Sequence, residues 1–109
     1  MNHDIVERYC AAVNAADTRA IVRLFAADGQ LQNPVGTYTG HESIEGFYRD
    51  VVIAGQAHVD FGAVLAEGPL VMAEITGSSP LDPNAKAYAI DVFRLDTDGR
   101  IARLDIYYR

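Results

Sequence analysis

Residues 88–94 read Tyr88-Ala89-Ile90-Asp91-Val92-Phe93-Arg94, and this stretch indicates most clearly how the chain folds. Its pattern predicts a β-strand with Ala89, Asp91 and Phe93 on one face and the remaining side chains on the other. The same period of two continues through four runs separated by turn-forming residues, at 57–66, 69–78, 86–96 and 100–109. The sequence therefore predicts four antiparallel strands.

The first half of the chain has helical periodicity instead. An apolar stripe that includes Ile5, Tyr9 and Val13, and an N-cap signal at Asp17, support this reading. Three helices are predicted, over residues 5–16, 17–28 and 41–52, with a brief strand at 30–33. We therefore predict a single α+β domain over residues 1–109, in which three N-terminal helices cover one face of a curved antiparallel or mixed sheet.

Composition excludes several classes of partner. The chain has 109 residues and a net charge of −6, so it has no basic surface for nucleic acid or for anionic membranes. We expect a neutral or apolar ligand. Cys10 is the only cysteine and the three histidines lack a ligand spacing, so no disulfide, metal site or cofactor is expected. No signal-peptide or membrane-spanning pattern is present, and the cytoplasm is the expected location.

Two polar side chains stand among apolar ones. Asp91 shares its predicted face with Ala89 and Phe93, and such surroundings raise the pKa of a carboxyl group, so that it can remain a neutral hydrogen-bond donor. The alternative is an exposed or salt-bridged aspartate. Tyr9 lies between Ile5 and Val13 on its helix. It is either a core residue with its hydroxyl at the rim or a proton donor in a site.

A set of short motifs, in this order and at this spacing, carries a resemblance that covers nearly the whole chain. The motifs are Arg8-Tyr9, Asn14-Ala15-Ala16-Asp17, Leu24-Phe25-Ala26-Ala27-Asp28, Asn33-Pro34-Val35-Gly36, Gly46-Phe47-Tyr48-Arg49, Ile90-Asp91-Val92-Phe93-Arg94 and Gly99-Arg100-Ile101. With them the chain resembles the ketosteroid isomerases, the steroid delta-isomerases of the nuclear-transport-factor-two-like fold. The resemblance implies a cone-shaped sheet, a steroid ligand and a homodimer paired through the exposed sheet face.

The resemblance also implies roles for individual residues. Tyr9 and Asp91 match the two donors that bind the oxyanion, and Tyr48 matches the tyrosine that orients the first donor. Asn33 matches the general base, which is an aspartate in the family. An amide cannot take a proton from carbon, so we expect a loss of at least roughly 10²-fold in isomerase rate relative to an Asn33→Asp variant. The sequence leaves open whether Asn33 is natural or introduced.

The remaining predicted site residues form the wall of an apolar pocket. They are Phe25, Val35, Phe47, Val52, Phe61, Met72, Ala89, Phe93, Leu104 and Tyr108. Phe25 stands where some members of the family have a further tyrosine of the hydrogen-bond network. Glu74 is added as a substitute base if it points inward; the alternative places its carboxylate at the rim or at a subunit contact.

Three functions are compatible with this pattern. The first is a steroid delta-isomerase with an impaired base. The second is a non-catalytic binder of small lipophilic molecules, which needs only the pocket. The third is another reaction on the same fold, such as polyketide cyclisation or epoxide hydrolysis. An Asn33→Asp variant separates them, because a large gain in steroid isomerisation is expected only for the first.

Overall fold

A computed structural model describes residues 3–109, so residues 1 and 2 of the predicted domain lie outside the described part. The helices are α1 (Asp4–Asn14), α2 (Thr18–Arg23) and α3 (His41–Phe47), and α3 continues into a π-helix (Tyr48–Ile53). The strands are β1 (Phe25–Gln32), β2 (Thr37–Thr39), β3 (His58–Glu67), β4 (Leu70–Ser78), β5 (Lys86–Leu95) and β6 (Ile101–Tyr108). The predicted α+β fold is confirmed.

The six strands form one sheet in the order β2-β1-β6-β5-β4-β3. Strands β3 to β6 pair antiparallel as predicted, whereas β1 pairs parallel with β6 and antiparallel with β2. The sheet is therefore mixed. Its inner face packs against the helices, and the core between them includes Ile5, Ile21, Ile44 and Ile101, all of which are fully buried. Burial of these side chains is the main source of stability.

The second predicted helix is too long. α2 begins as expected, with the Asp17 side chain accepting a hydrogen bond from the Ala20 amide at 3.0 Å, but it ends at Arg23. The Ile101 amide donates to the Leu24 carbonyl at 2.7 Å, and the strand begins at the next residue. Leu24-Phe25-Ala26 fits either structure locally, and pairing with a strand far along the chain decides between them.

The dipeptide Asp28-Gly29, predicted to end that helix, instead lies in an irregular part of β1. The pairing of β1 with β6 shifts register between Phe25 and Gln30. A Cβ atom on Gly29 would lie 2.9 Å from the Ile101 carbonyl oxygen, which is closer than a side chain tolerates. Glycine at this position therefore permits the close approach of the two strands.

A polar network fixes the outer side of the junction between β1 and β6. Asp105 is buried and accepts hydrogen bonds from Arg94 at 2.8 Å and from Arg103 at 3.0 Å. Arg103 also donates to the side-chain oxygens of Gln30 and Gln32 on β1. Because the buried carboxylate is paired with two guanidinium groups, its desolvation is offset.

Candidate functional site

The concave side of the sheet and the helices enclose a cavity of about 350 Å³. Seven of the predicted site residues line it, namely Tyr9, Phe47, Tyr48, Val52, Ala89, Asp91 and Tyr108. Further apolar or small lining residues were not predicted, including Val13, Ala57, Val59, Ile75, Gly77, Ala87 and Ile106. These residues occupy positions that follow the alternation of their strands or the apolar stripe of α1. The sequence pattern alone does not distinguish residues that line the cavity from residues that are buried in the core.

The inner end of the cavity contains a pair of tyrosines. The hydroxyl oxygens of Tyr9 on α1 and Tyr48 at the start of the π-helix are 2.7 Å apart. Both residues are buried, and their rings meet edge to face at 6.1 Å. The ring of Phe93 packs against Tyr9 on the other side at 5.4 Å. Packing therefore fixes the positions of the two hydroxyl oxygens, and either hydroxyl can donate the hydrogen bond between them.

The π-helix contributes a second residue to the same wall. Its wider turn is visible in the hydrogen bond from the Ala57 amide to the Val52 carbonyl, five residues earlier, at 3.1 Å. Tyr48 and Val52 both line the cavity. Single turns of π-helix are frequent at functional sites, where they redirect side chains. The sequence pattern predicted a continuous α-helix here and gave no sign of the change.

Asp91 lies on the inner face of β5 as predicted, with 2% of its surface exposed. Its cross-strand neighbours on that face are Ala73 and Ile106, which offer the carboxyl group no polar partner. Among the described residues, no hydrogen-bond partner exists for its buried Oδ1 atom. Burial raises the pKa of Asp91 to about 7. Near neutral pH a large fraction of the molecules therefore has a protonated Asp91 that can donate to a ligand oxygen.

The hydroxyl groups near Asp91 also remain protonated. Burial raises the pKa of Tyr9 well above its ordinary value, and the proximity of Tyr48 and Asp91 raises it further. Burial likewise raises the pKa of Tyr48, although its hydrogen bond with Tyr9 acts in the opposite direction. Burial and Asp91 raise the pKa of Tyr108. Below about pH 7, Tyr9, Tyr48 and Asp91 thus place uncharged hydroxyl and carboxyl groups in the wall of the cavity.

Asn33 does not line this cavity. Its side-chain oxygen accepts hydrogen bonds from the Val35 amide at 2.9 Å and the Gly36 amide at 3.1 Å, which closes the turn between β1 and β2. The residue is buried and borders a neighbouring groove, whose lining includes Ile106 and Tyr108 of the main cavity. Its oxygen is therefore committed to the turn, as is common for asparagine in such loops. A role for Asn33 toward a ligand stays a prediction.

Three predicted lining residues belong to the core instead. Phe25, Phe93 and Leu104 are completely buried among other side chains and do not line the cavity. Phe25 packs against the Tyr48 ring, with 6.5 Å between the ring centroids, and Phe93 packs against Tyr9. They support the residues of the site from behind. Alternation correctly predicted that Phe93 and Leu104 face inward, but it did not show that they lie in the core behind the cavity, and Phe25 was predicted on a helix.

Four other predicted lining residues lie outside the cavity. Val35 is 86% exposed in its turn, and Phe61 and Met72 are about half exposed. Glu74 lies on the outer face of β4, where its Oε1 atom accepts a hydrogen bond from the Ala63 amide at 2.9 Å. Its carboxylate therefore stabilises an irregular part of β3, where pairing with β4 shifts register. The proposal that Glu74 points inward as a substitute base was wrong.

One residue that positions the cavity wall was missed. The Asn14 side chain at the end of α1 donates to the Val59 carbonyl and accepts from the Val59 amide, each at 2.8 Å. This reciprocal pair fixes the end of the helix to β3 beside the cavity residues Val13 and Val59. An asparagine near a helix end ordinarily suggests a cap on that helix. The sequence alone therefore did not indicate that this side chain binds the backbone of a distant strand.

The mouth of the cavity is polar. It is formed by Ser78, Ser79, Asp82 and Lys86, where β4 ends, the connection to β5 runs, and β5 begins. Ser79 joins this connection to the π-helix side, because its hydroxyl donates to the Gly55 carbonyl at 2.6 Å. No cluster of metal-ligating side chains occurs among residues 3–109. Within the same residues, no helix is long and apolar enough to span a membrane.

Comparison with known proteins gives the same fold and identifies the family. The SnoaL-like domain family matches residues 6–104. This chain belongs to that family. Its structure resembles that of SalBIII, an epoxide hydrolase/cyclase-like enzyme of pyran ring formation in the polyether salinomycin. The TM-score is 0.87 and the identity 26%, covering 99% of this chain and 90% of that one.

Two further solved structures are similar to that of this chain. A protein from Sinorhizobium meliloti, described as a polyketide cyclase, has a TM-score of 0.84 and 25% identity over 94% of this chain and 93% of that one. A protein from Kribbella flavida, described as a ketosteroid isomerase, has a TM-score of 0.85 and 15% identity over 99% of this chain and 77% of that one. The last likeness concerns the fold alone. Proteins described as a cyclase-like enzyme, a polyketide cyclase and a ketosteroid isomerase thus share this fold.

Proposed function

We propose that this protein is a cofactor-independent enzyme that isomerises a small apolar substrate by hydrogen-bonding one substrate oxygen from both Tyr9 and protonated Asp91. One observation carries this proposal: the buried Asp91 carboxyl group, whose Oδ1 atom has no partner among the described residues, belongs to a residue that lines the same cavity as Tyr9 and Tyr48. A buried polar atom without a partner is costly, and a ligand oxygen would satisfy it.

The first candidate reaction is the conversion of a 3-oxo-Δ5-steroid to its Δ4 isomer. The steroid carbonyl would accept hydrogen bonds from Tyr9 and Asp91, and these donors would stabilise the dienolate formed when a base takes a proton from one carbon, before the same base returns it to another carbon. Tyr48 would orient the Tyr9 hydroxyl. Asn33 occupies the position of the general base in the ketosteroid isomerases, but its amide is not basic. Its side-chain oxygen already accepts two hydrogen bonds within the turn. We therefore propose a steroid isomerase whose base is impaired.

The second candidate reaction needs no base at position 33. Asp91 would give its proton to an epoxide oxygen as the carbon–oxygen bond breaks. A hydroxyl group of the same substrate would form the new carbon–oxygen bond, and its proton would return to the Asp91 carboxylate. The product is a cyclic ether isomer of the substrate and the acid is regenerated. Asp91 is the only buried carboxyl group that lines the cavity of the described structure, and the similarity to SalBIII also favours this reaction.

Binding of a phenol tests the shared part of both candidates. A phenolic steroid should bind, and Tyr9→Phe and Asp91→Asn should each weaken it about 10-fold, because each removes or weakens a hydrogen bond in a dry site. Tyr107→Phe, on the exposed outer face, is the matched control. Equal affinity in all four proteins, measured by fluorescence titration, would rule out the oxygen site.

Turnover then separates the reactions. The wild type and an Asn33→Asp variant are assayed with an unsaturated 3-oxosteroid, by absorbance of the conjugated product, and with a hydroxy-epoxide, by chromatography. A gain in steroid isomerisation of roughly 10²- to 10⁴-fold in the variant supports the first candidate. Cyclisation by the wild type that is lost in Asp91→Asn supports the second. Binding without either reaction identifies a carrier.

We further propose that two copies pair through the outer face of the sheet. Leu65 pairs with Met72 across β3 and β4, Ile90 pairs with Tyr107 across β5 and β6, and all four side chains are exposed on that side. Exposed apolar surface of this kind is typical of protein interfaces. The cavity opens elsewhere, because none of these four residues lines it. Pairing would therefore leave the proposed site accessible.

A further inference from the structure

A second groove lies where α1, the end of α2 and the turn between β5 and β6 meet. Its lining consists of Arg8 from α1, Arg23 and Leu24 from the end of α2, and Asp98, Gly99 and Arg100 from the turn. None of these residues lines the cavity that contains Tyr9 and Asp91. The groove is therefore a separate part of the surface, and the proposed reaction makes no use of it.

Positive charge is concentrated in this groove although the chain as a whole is acidic. The net charge is −6, yet three of the nine arginine and lysine side chains line the groove, namely Arg8, Arg23 and Arg100. Among the described lining residues only Asp98 carries a negative charge. Three positive groups and one negative group give a local net charge of +2. Surface that is rich in one sign of charge attracts ligands of the opposite sign.

The guanidinium groups of the groove have few partners in the protein itself. Within residues 3–109, Arg8 and Arg23 form neither a hydrogen bond nor an ion pair. Arg100 approaches the Asp98 carboxylate only at 3.9 Å, and both of these side chains are more than half exposed. An exposed ion pair of this length contributes little. The donors of all three arginines therefore remain available to a ligand.

Helix electrostatics explain only one of the three positions. Arg23 lies in the last turn of α2, where a positive charge is favourable beside the free carbonyl groups of the helix end. Arg8 lies in the middle of α1 and Arg100 in a turn, so neither gains from a helix end. Like charges in one groove also repel one another, and a bound anion would remove this repulsion.

The backbone that holds the groove together is fixed by hydrogen bonds. The Ile101 amide donates to the Leu24 carbonyl at 2.7 Å, which joins the end of α2 to the start of β6. In the turn, the Asp96 side chain accepts hydrogen bonds from the amides of Asp98 and Arg100 at 2.9 and 3.0 Å. A ligand therefore has to order only side chains, which lowers the entropic cost of binding.

We propose that this groove is a binding site for a phosphate group, with Arg8, Arg23 and Arg100 as its ligands. A phosphate monoester carries a charge of roughly −1.5 to −2 at neutral pH and has three acceptor oxygens. It therefore matches the local charge of the groove better than a single carboxylate does, and planar guanidinium groups can each donate two parallel hydrogen bonds to it. The acidic character of the whole chain favours a soluble phosphate compound over a lipid headgroup.

Titration with inorganic phosphate tests the site in the unmodified protein. Carbon-detected NMR of the guanidinium groups, at neutral pH and with ionic strength held constant by chloride, should show saturable shifts for Arg8, Arg23 and Arg100. The dissociation constant should be on the order of 1 mM at low ionic strength, because the contacts are exposed. Shifts that do not saturate, or that are equally large at Arg49 and Arg109 outside the groove, would overturn the proposal.

Substitutions give an independent measurement. An R8Q/R23Q variant should bind phosphate at least roughly 5-fold more weakly, whereas R49Q/R109Q, which removes the same charge outside the groove, should bind like the wild type. A D98N variant should bind roughly 2- to 5-fold more tightly, because it removes the one repelling carboxylate. Equal affinity in R8Q/R23Q and R49Q/R109Q would contradict the assignment, as would weaker binding by D98N.

Cosedimentation with vesicles separates the two sources of a phosphate group. The probes are phosphatidylcholine vesicles with and without phosphatidate. Saturable binding of inorganic phosphate without cosedimentation supports the site with a soluble phosphate compound as its ligand. Cosedimentation that requires phosphatidate and is lost in R8Q/R23Q, but not in R49Q/R109Q, supports the site with a lipid headgroup as its ligand. Absence of both kinds of binding overturns the proposal.

Discussion

Replacement of Asp91 by asparagine should change how stability depends on pH. Burial holds the pKa of this carboxyl group at about 7 in the folded protein, compared with 3.8 in an unperturbed aspartate. A pKa difference of about 3 corresponds to about 4 kcal/mol. The unfolded chain releases its proton first as pH rises, so between the two pKa values the folded state binds more protons. Stability must therefore fall as pH rises from about 4 to about 7 and then level off.

The expected size of the effect follows from the same two pKa values. From pH 5 to pH 9 the wild type should lose about 3 kcal/mol of unfolding free energy through this single group. The Asp91→Asn protein cannot ionise at this position and should lose only what the remaining groups contribute. The amide introduced by Asp91→Asn has no hydrogen-bond partner at this position, which lowers the unfolding free energy equally at every pH. This constant loss cancels when the two pH values are compared within each protein.

Urea unfolding at pH 5, 7 and 9, at one fixed protein concentration, measures the difference. The wild-type midpoint should decrease by roughly 1–3 M more than that of the variant over this range. Asp105→Asn is not a suitable control, because that carboxylate is paired with two arginines. Asp98→Asn, on an exposed turn, is suitable and should follow the wild type. Parallel curves for wild type and Asp91→Asn would refute the assignment of a buried, unpaired carboxyl group.

Four further predictions concern binding, positioning, stability and assembly. Affinity for a phenolic steroid should be constant below about pH 7 and fall about tenfold for each pH unit above it, because only protonated Asp91 donates; titrations from pH 5 to 9 that show no decline contradict this. Tyr48→Phe should weaken the same ligand about 2- to 10-fold without loss of folding, since only the partner of the Tyr9 hydroxyl is removed, and calorimetry at pH 6 measures it. Asn14→Ala should lower the unfolding free energy by about 1–3 kcal/mol through the loss of two hydrogen bonds to Val59, whereas an unchanged urea midpoint would show that they contribute nothing. Leu65→Glu should convert a dimer to a monomer in sedimentation experiments, and a wild type that already sediments as a monomer removes the proposed interface.

The sequence predicted the antiparallel half of the sheet well because its information is local. Alternation around Asp91 gave the correct face, and the apolar neighbours on that face gave the correct reason for a raised pKa. The N-terminal half was predicted less well. Phe25 was placed on a helix because Leu24-Phe25-Ala26 is compatible with one, but the strand forms through contact with Ile101, which no local pattern contains.

The candidate site was likewise predicted only in part. Tyr9, Tyr48 and Asp91 come together at the inner end of the cavity as the resemblance implied. The direction of Glu74 was left open, since alternation alone does not say which face of a strand is concave, and the structure excludes the inward alternative. The mouth residue Lys86 was missed because a charged side chain at the start of a strand is ordinary until the cavity beside it is known.

The parallel pairing of β1 with β6 has a consequence for synthesis on the ribosome. Phe25 pairs with Ile101, and Gln32 pairs with Asp105, so β1 is translated long before the β6 residues with which it pairs. Until then its only neighbour is the three-residue β2, and one long edge of backbone amides and carbonyls stays unpaired. Nascent chains of this protein should therefore be vulnerable to aggregation and dependent on chaperones until β6 has been made, even though the domain is small.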